Sequence, residues 1–396
     1  MIRCLTSLLC FFFLMAGCVG PLTRHDDIHL KVVAWKDYPR FTDDMWYDGL
    51  ECALKQSLEY LRRLDPDKHF FWGKDAYSVS HVIHSLEFFL TFVHTRPSAL
   101  EMNRFIENHY RIYRSVADGK PGEVFFTGYY EPILDGSLEK NGSFIYPVYG
   151  RPLDLTTIDL GLFDAAWKGK TLIGRYDGQT VIPYPDRKSI DVEKCLEGKA
   201  IPLVWLKDPV DAFFLQIQGS GKVNINGPEP LNIHYHISNG RPYRSIGKLL
   251  IETKKIEPSK MSMQSIRAYL ESHPDELQDI LNYNPCYVFF KIEKEGPKGF
   301  LDVVLTPGRS VALDRKLFPP GALAFIETHK PLIDPDGTIQ KWNRFSRFVL
   351  NQDTGGAIQG PGRADLFWGN GPYAEIAAGH MQHRGTLYFL ILKPDA

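Results

Sequence analysis

The chain has 396 residues, of which 44% are hydrophobic and 23% are charged. This length and composition exclude a disordered or fibrous protein and leave room for two globular domains with a sizeable core. The 46 Lys and Arg residues nearly balance the 47 Asp and Glu residues, so no strong electric field favours nucleic acid or an anionic membrane surface as a partner.

The first residues predict a secretory leader. Arg3 precedes an apolar run from Leu8 to Ala16, and the small residue Gly17 follows it. A charged start, a short apolar core and a small-residue exit are the three parts of a signal peptide. The run is too short to cross a membrane as a helix. We therefore assign residues 1–17 to a signal peptide.

The junction after the leader resembles a bacterial lipobox. Small residues stand directly before Cys18, which in a lipoprotein becomes the lipidated first residue of the mature chain. Val19 follows, and not the Asp that commonly retains lipoproteins in the inner membrane, so the resemblance implies an outer-membrane lipid anchor facing the periplasm. Residues 18–40 are expected to form a tether. The alternative is a plain signal peptide with an incidental cysteine.

Three cysteines follow this junction, at Cys52, Cys195 and Cys286. An odd number without metal-ligand spacing predicts neither a disulfide framework nor a zinc site. We expect three buried thiols, and the sequence implies no cofactor and no metal ion.

The region after the tether is predicted to be helical. Apolar residues recur there at helical spacing, at Trp46, Leu50, Leu54, Leu58 and Leu61. Further on, Ser98 and Glu101 form a capping-box pattern ahead of a run from Met102 to Val116. These segments are expected to be scaffold helices.

From Glu123 onward the pattern favours β-structure. Short apolar or alternating runs are separated by Gly, Pro and Asn, as in Val124 to Tyr130, Ala212 to Gln218 and Tyr287 to Lys291. One helical interlude, Ser262 to Leu281, interrupts this region. The sequence alone therefore predicts a mainly β protein with helices at its N-terminus.

Two carboxylates stand in a glycine-rich stretch near the C-terminus. Asp353 and Asp365 follow a strand-like run from Phe345 to Leu350, and the aromatic pair Phe367 and Trp368 comes directly after them. A carboxylic acid can protonate a glycosidic oxygen when burial or a nearby negative charge raises its pKa, and aromatic rings supply platforms for sugars. The alternative is that Asp and Gly at this density only form tight turns.

The wider pattern resembles a known family. Asp314 precedes a Pro-Pro-Gly turn, so three aspartates lie near the ends of successive strand-like runs. The order ALD, PPG, QDTGGAIQG and RADLFWG resembles the C-terminal 3D domain of the membrane-bound lytic transglycosylase A family. Earlier segments are similar to the same family: FTGYYEP at Phe126 to Pro132, YPVYGRP at Tyr146 to Pro152, QIQGSG at Gln216 to Gly221, YRSIGKLLIE at Tyr243 to Glu252, and MSMQSIRAYL at Met261 to Leu270.

This resemblance implies an architecture. The catalytic domain would be a double-psi β-barrel, formed by residues 41–131 together with their N-terminal helices and by residues 288–396. A second β-barrel domain, residues 132–287, would be inserted between these two parts. The glycan strand would lie in a groove between the two barrels.

The resemblance also implies a reaction. A lytic transglycosylase cleaves the β-1,4 bond between N-acetylmuramic acid and N-acetylglucosamine and forms a 1,6-anhydro ring, so one carboxyl group suffices as acid and then base. Asp365 matches the catalytic aspartate, and Asp353 would stay ionised beside it. Asp314 would cap its turn. If the chain were instead a two-carboxylate hydrolase, Glu131 could supply the second carboxylate; a non-catalytic wall-binding protein is the other alternative.

Several side chains are predicted to bind the glycan. Hydroxyls, amides and aromatic faces in the matching motifs suit sugar recognition, and these residues are Thr127, Tyr129, Tyr130, Gln218, Ser220 and Trp368. Both tyrosines could instead be barrel core, and Trp368 could plug the barrel end. The expected partners are peptidoglycan strands, the membrane through the lipid anchor, and wall-synthesis proteins, but no nucleic acid.

Overall fold

The computed structural model of the chain describes residues 29–117, 120–121 and 123–394. The predicted leader and Cys18 lie outside these ranges. The α-helices are α1 (Leu50–Leu61), α2 (Val79–Val93), α3 (Ala99–His109), α4 (Arg187–Asp191), α5 (Pro209–Gln218), α6 (Ile246–Glu252), α7 (Met263–Ser272), α8 (Pro274–Asn282) and α9 (Pro372–His380). In this part of the chain, no helix has the length and apolar character needed to span a membrane.

The strands fall into two large sheets and two small ones. They are β1 (Leu30–Val32), β2 (His69–Trp72), β3 (Asp75–Ser78), β4 (Tyr110–Ala117), β5 (Lys120–Pro121), β6 (Val124–Glu131), β7 (Ile133–Ser137), β8 (Tyr146–Tyr149), β9 (Thr156–Asp159), β10 (Thr171–Tyr176), β11 (Val181–Pro183), β12 (Pro202–Leu206), β13 (Ser220–Asn224), β14 (Leu231–Ser238), β15 (Val288–Glu293), β16 (Ser310–Ala312), β17 (Leu323–Ile333), β18 (Ile339–Asp353), β19 (Arg363–Asn370) and β20 (His383–Leu392).

Six strands form a closed barrel in the order β6, β20, β17, β18, β16 and β19, because β6 pairs with both β19 and β20. Two of the pairings, β16 with β18 and β19 with β6, are parallel. Helices α1 and α2 pack on β18 and β20, and α9 packs on β6 and β19. The predicted fold class, mainly β with N-terminal helices and a double-psi barrel, is confirmed.

The second large sheet forms the inserted barrel. Its order is β15, β14, β13, β7, β12 and β8, and a bridge between Gly150 and Phe290 joins its two edges. The predicted boundary at residue 288 is wrong, because Val288–Glu293 pairs with β14 of this sheet. The apolar side chains of Phe289 and Phe290 pack in the insert's own core, so the insert extends at least to the end of β15.

Helix α5 replaces a predicted strand at Ala212 to Gln218. Asp208 caps the helix N-terminus through the backbone amide of Val210, Pro209 stands in its first turn, and Gly219 ends it in the left-handed conformation. These are start and stop signals of a helix. The prediction failed because a short apolar run is ambiguous between strand and buried helix.

Three N-terminal predictions also need correction. The tether cannot extend to residue 40, because Leu30–Val32 is a strand paired with β4. Trp46 is exposed in a turn before α1. The capping box of Ser98 and Glu101 is present, but α3 ends at His109 and the chain continues as β4.

The expectation of buried thiols is wrong for Cys52. This residue lies on the solvent side of α1, out of phase with the buried face that begins at Leu50 and continues through Ala53 and Leu54. Cys195 and Cys286 are partly buried, so all three cysteines are less enclosed than the sequence suggested.

A buried ion pair joins the N-terminal segment to the barrel. The side chains of Arg309 and Asp43 are 0% and 1% exposed, and both guanidinium Nη atoms donate to the carboxylate, at 2.6 and 2.8 Å. Asp43 also accepts hydrogen bonds from the backbone amides of Met45, Tyr47 and Phe348. Because Phe348 lies in β18, this carboxylate fixes the chain before α1 to the barrel wall.

We predict that Asp43→Ala lowers the free energy of unfolding by about 3–5 kcal/mol, because the substitution leaves Arg309 buried without its counter-charge. Urea denaturation of the variant and the native chain measures the effect. Asp336→Ala, at an exposed turn, is the matched control and should change stability by less than about 0.5 kcal/mol. Equal stability of the two variants would contradict the prediction.

Candidate active site

The strand register places the two predicted catalytic carboxylates in one row. Ala312 of β16 pairs with Asp353 of β18 on one side and with Asp365 of β19 on the other. Asp365 pairs in turn with Thr127 of β6. Neighbouring strands lie about 4.8 Å apart, so the backbones of the two aspartates are ~10 Å apart, with Ala312 on the strand between them.

A β-bulge brings Asp353 into this row. The β16–β18 register runs from Val311 paired with Asn351 to Ala312 paired with Asp353, so Gln352 is the extra residue. Gln352 is fully buried, accepts a hydrogen bond from Ser310 Oγ at 2.6 Å and donates to the α1 backbone at Ala53. Bulges commonly re-aim a side chain next to an active site, and here the bulge turns Asp353 out of the core.

Alternation along β6 and β19 separates a site face from a core face. The half-buried residues Thr127 and Tyr129 point to the same side as Asp365, since paired residues on adjacent strands share a face. The neighbouring residues Phe126, which precedes Thr127, and Leu366, which follows Asp365, are fully buried in the barrel core. The position of Asp365 is therefore set by the register of a parallel strand pair and by the core residues that hold it.

Asp365 has the properties of an acid that works near neutral pH. Thr127 Oγ1 donates to Asp365 Oδ1 at 2.7 Å. Burial is the main cause that raises the pKa of Asp365 to about 6. The Thr127 hydrogen bond and the charge of Arg363 oppose this rise, whereas the charge of Asp353 adds a smaller contribution to it. The sequence had suggested burial and Asp353 as the two causes, and burial is the larger.

Asp353 is held as a hydrogen-bond acceptor on both oxygens. Tyr129 Oη donates to Oδ2 at 2.8 Å, while the backbone amides of Thr354 and Phe300 donate to Oδ1 at 2.8 and 2.9 Å. Burial raises the pKa of Asp353, and these three donors oppose the rise. Burial also raises the pKa of Tyr129 well above its usual value, so the phenol stays protonated and keeps donating.

Asp314 organises a turn. Its backbone carbonyl accepts from Leu317 and Phe318, and its carboxylate accepts from the amides of Lys316 and Gly360. The contact with Gly360, at 2.8 Å, links the turn after β16 to the glycine-rich loop between β18 and β19. Within the described part of the chain, this carboxylate therefore accepts hydrogen bonds from backbone amides alone.

The other predicted glycan-binding residues lie away from the carboxylates. Trp368 is 8% exposed and packs edge-on against Phe345 and Tyr373. Gly128 leaves room for this indole, because a Cβ at that position would come within 2.6 Å of it. Trp368 therefore packs in the core and is not brought beside Asp365.

Tyr130, Gln218 and Ser220 lie where the two barrels join. Tyr130 is buried and lines a charged cavity of ≈ 340 Å³ with Arg267 and Glu375. The Gln218 side chain accepts a hydrogen bond from the Tyr130 backbone amide at 3.0 Å, and Ser220 is buried in β13. Thr127 and Tyr129 are thus the members of the predicted set that contact the carboxylates.

Glu131 is too far along β6 to pair with Asp365. It lies four residues beyond Thr127, or ~13 Å at about 3.3 Å per residue, and two-carboxylate glycosidases need a separation below about 9.5 Å. Its side chain is fully buried, accepts from Asn370 at 3.1 Å and lies 3.8 Å from Lys222. Burial raises the pKa of Glu131.

Three contributors to the site were missed by the sequence analysis: Gln352, the Phe300 amide and Arg363. Arg363 could have been found from its spacing, because residues i and i+2 of a strand share a face and Asp365 is two residues on. The Phe300 amide had no such signal, since it comes from a loop more than 50 residues before Asp353.

Comparisons with known proteins agree with this architecture. Two family models match, the MltA specific insert domain over residues 125–291 and the 3D domain over residues 309–391. Membrane-bound lytic murein transglycosylase A of Escherichia coli K12 is 34% identical over 278 residues, covering 69% of this chain and 67% of that protein. The Vibrio cholerae protein of the same name is 32% identical with the same two coverages.

Solved structures share the fold. The membrane-bound lytic murein transglycosylase of Agrobacterium tumefaciens has a TM-score of 0.74 at 30% identity, over 92% of this chain and 97% of that one. Escherichia coli MltA with bound chitohexaose has a TM-score of 0.67 at 26% identity, over 92% and 95%.

The closed barrel, the row of carboxylates and the two matching domains define the class of this protein as a lytic transglycosylase. Its relatives make the assignment more specific. The chain belongs to the membrane-bound lytic murein transglycosylase A family. The family and enzyme class expected from the sequence motifs are thereby confirmed.

Proposed function

We propose that the chain cleaves the β-1,4 bond between N-acetylmuramic acid and N-acetylglucosamine in peptidoglycan, with Asp365 as the single catalytic acid and base. The observation that carries this proposal is the raised pKa of Asp365, about 6, in a carboxyl group whose Oδ2 has no hydrogen-bond partner among the described residues. Such a group is protonated in a useful fraction of molecules near neutral pH and has one oxygen free to meet the glycan.

In the first step, the Asp365 carboxyl donates its proton to the glycosidic oxygen. The C1–O bond breaks, N-acetylglucosamine leaves as an alcohol, and an oxocarbenium-like centre develops at C1 of the muramoyl residue. In the second step, the muramoyl 6-hydroxyl oxygen attacks C1, and the Asp365 carboxylate takes the hydroxyl proton. The 1,6-anhydro ring closes, the acid is regenerated and no water is consumed.

Asp353 is assigned to electrostatic stabilisation. Its three hydrogen-bond donors favour the ionised form, and a fixed negative charge near C1 stabilises a cationic transition state. Three of the about four acceptor sites of this carboxylate are already used by hydrogen bonds, so Asp353 is less free to activate a water molecule. This favours ring closure by the substrate's own hydroxyl over hydrolysis.

A glycan ligand agrees with the comparisons, since one solved relative holds chitohexaose, an oligosaccharide of N-acetylated sugars. Thr127 and Tyr129 are assigned to positioning Asp365 and Asp353 at the cleavage site. Gln218 and Ser220 are proposed to bind the glycan where the two barrels join, beside the strand that carries Thr127.

We predict that Asp365→Asn abolishes the release of 1,6-anhydromuramoyl products, because an amide cannot transfer the proton. Mass spectrometry of fragments from purified peptidoglycan distinguishes these products from hydrolytic ones by the mass of one water. Asp314→Asn is the matched control, and we expect it to retain most of the activity. Reducing-end products from the native chain would overturn the proposed mechanism.

The pH dependence of kcat gives a second prediction. Only protonated Asp365 can start the reaction, so kcat should fall as the pH rises through about 6, the pKa of this group. On the acid side, kcat should fall as Asp353 becomes protonated and its charge is lost. Initial rates measured from pH 4 to 9 test both limbs, and a rate that keeps rising above pH 7 would contradict the assignment of Asp365.

We further propose that Cys18 carries a lipid anchor that holds the protein on the periplasmic face of the outer membrane. The lipobox pattern supports this, as does the description of the relatives as membrane-bound. Residues 18–29 then link the anchor to β1, the first strand of the folded part. Recruitment by wall-synthesis proteins stays part of this proposal.

We predict that Cys18→Ser moves the full-length protein from the outer-membrane fraction to the soluble periplasmic fraction of a Gram-negative host. Cys52→Ser, which removes an exposed thiol in α1, is the matched control and should leave the protein in the membrane. Density-gradient fractionation with immunodetection gives the distribution. A native chain found only in the soluble fraction would show that no anchor is attached.

A further inference from the structure

Arg363 lies beside the catalytic acid and has no part in the mechanism above. It precedes Asp365 by two residues on β19 and shares its face of the strand. Its guanidinium lies over the Phe125 ring at 4.9 Å, and Nη2 approaches Thr127 Oγ1 at 3.4 Å, a long hydrogen bond. Thr127 Oγ1 is the atom that donates to Asp365 Oδ1 at 2.7 Å.

This contact fixes the direction of the Thr127 hydroxyl. A guanidinium has only donors, so the hydroxyl oxygen must offer a lone pair to Arg363. The single hydroxyl proton then points to Asp365 Oδ1, which is held as an acceptor. The proton of the neutral acid consequently resides on Oδ2, the oxygen that has no partner among the described residues.

We propose that Arg363 is a positioning residue, which acts through Thr127 to place the transferable proton on Oδ2 of Asp365. This inference rests on the proposed role of Asp365 as the acid. It adds the group that selects which of the two carboxyl oxygens meets the glycosidic bond.

The charge of Arg363 has a second effect on the same carboxyl. The groups that face Asp365 are Arg363 on its own strand, Asp353 across Ala312 and the neutral phenol of Tyr129 on β6. Arg363 favours the carboxylate, and Asp353 disfavours it. One residue must first give a proton and then take one back. Its pKa must therefore be high enough for the acid to be present near neutral pH, but low enough for the carboxylate to form after the first step.

The test is an NMR titration of the Asp365 carboxyl carbon, assigned with Asp365→Asn. In Arg363→Gln the midpoint should move to higher pH than in the native chain, because the nearby positive charge is gone. Arg363→Lys keeps a positive charge on a group that has only hydrogen-bond donors, so the midpoint should stay close to the native value. Arg384→Gln is the matched control, since its exposed side chain pairs with Glu123 at 3.8 Å, and it should leave the midpoint unchanged.

Kinetics give the second readout. At a pH below the alkaline limb, where Asp365 is protonated in both chains, kcat for anhydromuramoyl product should fall about tenfold in Arg363→Gln, because the proton is no longer confined to Oδ2. The alkaline limb itself should be displaced in the same direction as the NMR midpoint, and Arg363→Lys should recover most of the loss. A native midpoint and native kcat in Arg363→Gln would overturn the inference, as would an Arg363→Lys variant that behaves like Arg363→Gln. The titration does not depend on turnover. It therefore tests the role of Arg363 even if the native chain forms no anhydro product and the proposed function fails.

Discussion

The pairing of β6 with both β19 and β20 closes the catalytic barrel, and the surroundings of the acid depend on that closure. Thr127 and Asp365 are 238 residues apart in the chain and 2.7 Å apart in the fold. No local preference holds such a contact; it persists because the core beneath it, including Phe126 and Leu366, is fully buried. The buried pair of Arg309 and Asp43 then fixes the N-terminal segment to the same wall.

The two site aspartates have different environments within one row of side chains. Burial raises the pKa of both carboxyl groups, and this rise is opposed by one hydrogen bond and the charge of Arg363 at Asp365 but by three hydrogen bonds at Asp353. Different surroundings of two neighbouring carboxyl groups are a general way to give one the role of acid and the other the role of a fixed charge. The bulge at Gln352 is what allows both to face the same side.

The sequence predicted the fold class, the family and the two aspartates, because these depend on motif order and on strand-like patterns. It misassigned Ala212 to Gln218, where apolar residues read as a strand and the flanking Asp208, Pro209 and Gly219 signal a helix. It left Trp368 open between a platform for the sugar and a plug of the barrel end, and the structure packs this residue in the core. Which face a side chain takes depends on register and on bulges such as the one after Phe367, and a single sequence does not contain these.

The roles of Gln352 and Phe300 were out of reach for a related reason. The Gln352 side chain acts through its buried hydrogen bonds to Ser310 and to the α1 backbone. Phe300 contributes a backbone amide, which almost any residue could supply. Neither leaves a chemical signature in the sequence. Arg363 differs, because strand periodicity alone places it beside Asp365.

The order in which the barrel strands occur along the chain has a consequence for biosynthesis. The last strand, β20, lies between β6 and β17, and it is the strand that brings the two ends of the sheet together. A polypeptide that is still being synthesised or exported, or that has lost its final segment, leaves β6 and β17 with open edges and the wall around Asp365 incomplete. The side chains around Asp365 therefore reach their final arrangement only after β20, which follows the other barrel strands in the chain, has been made and has paired with β6.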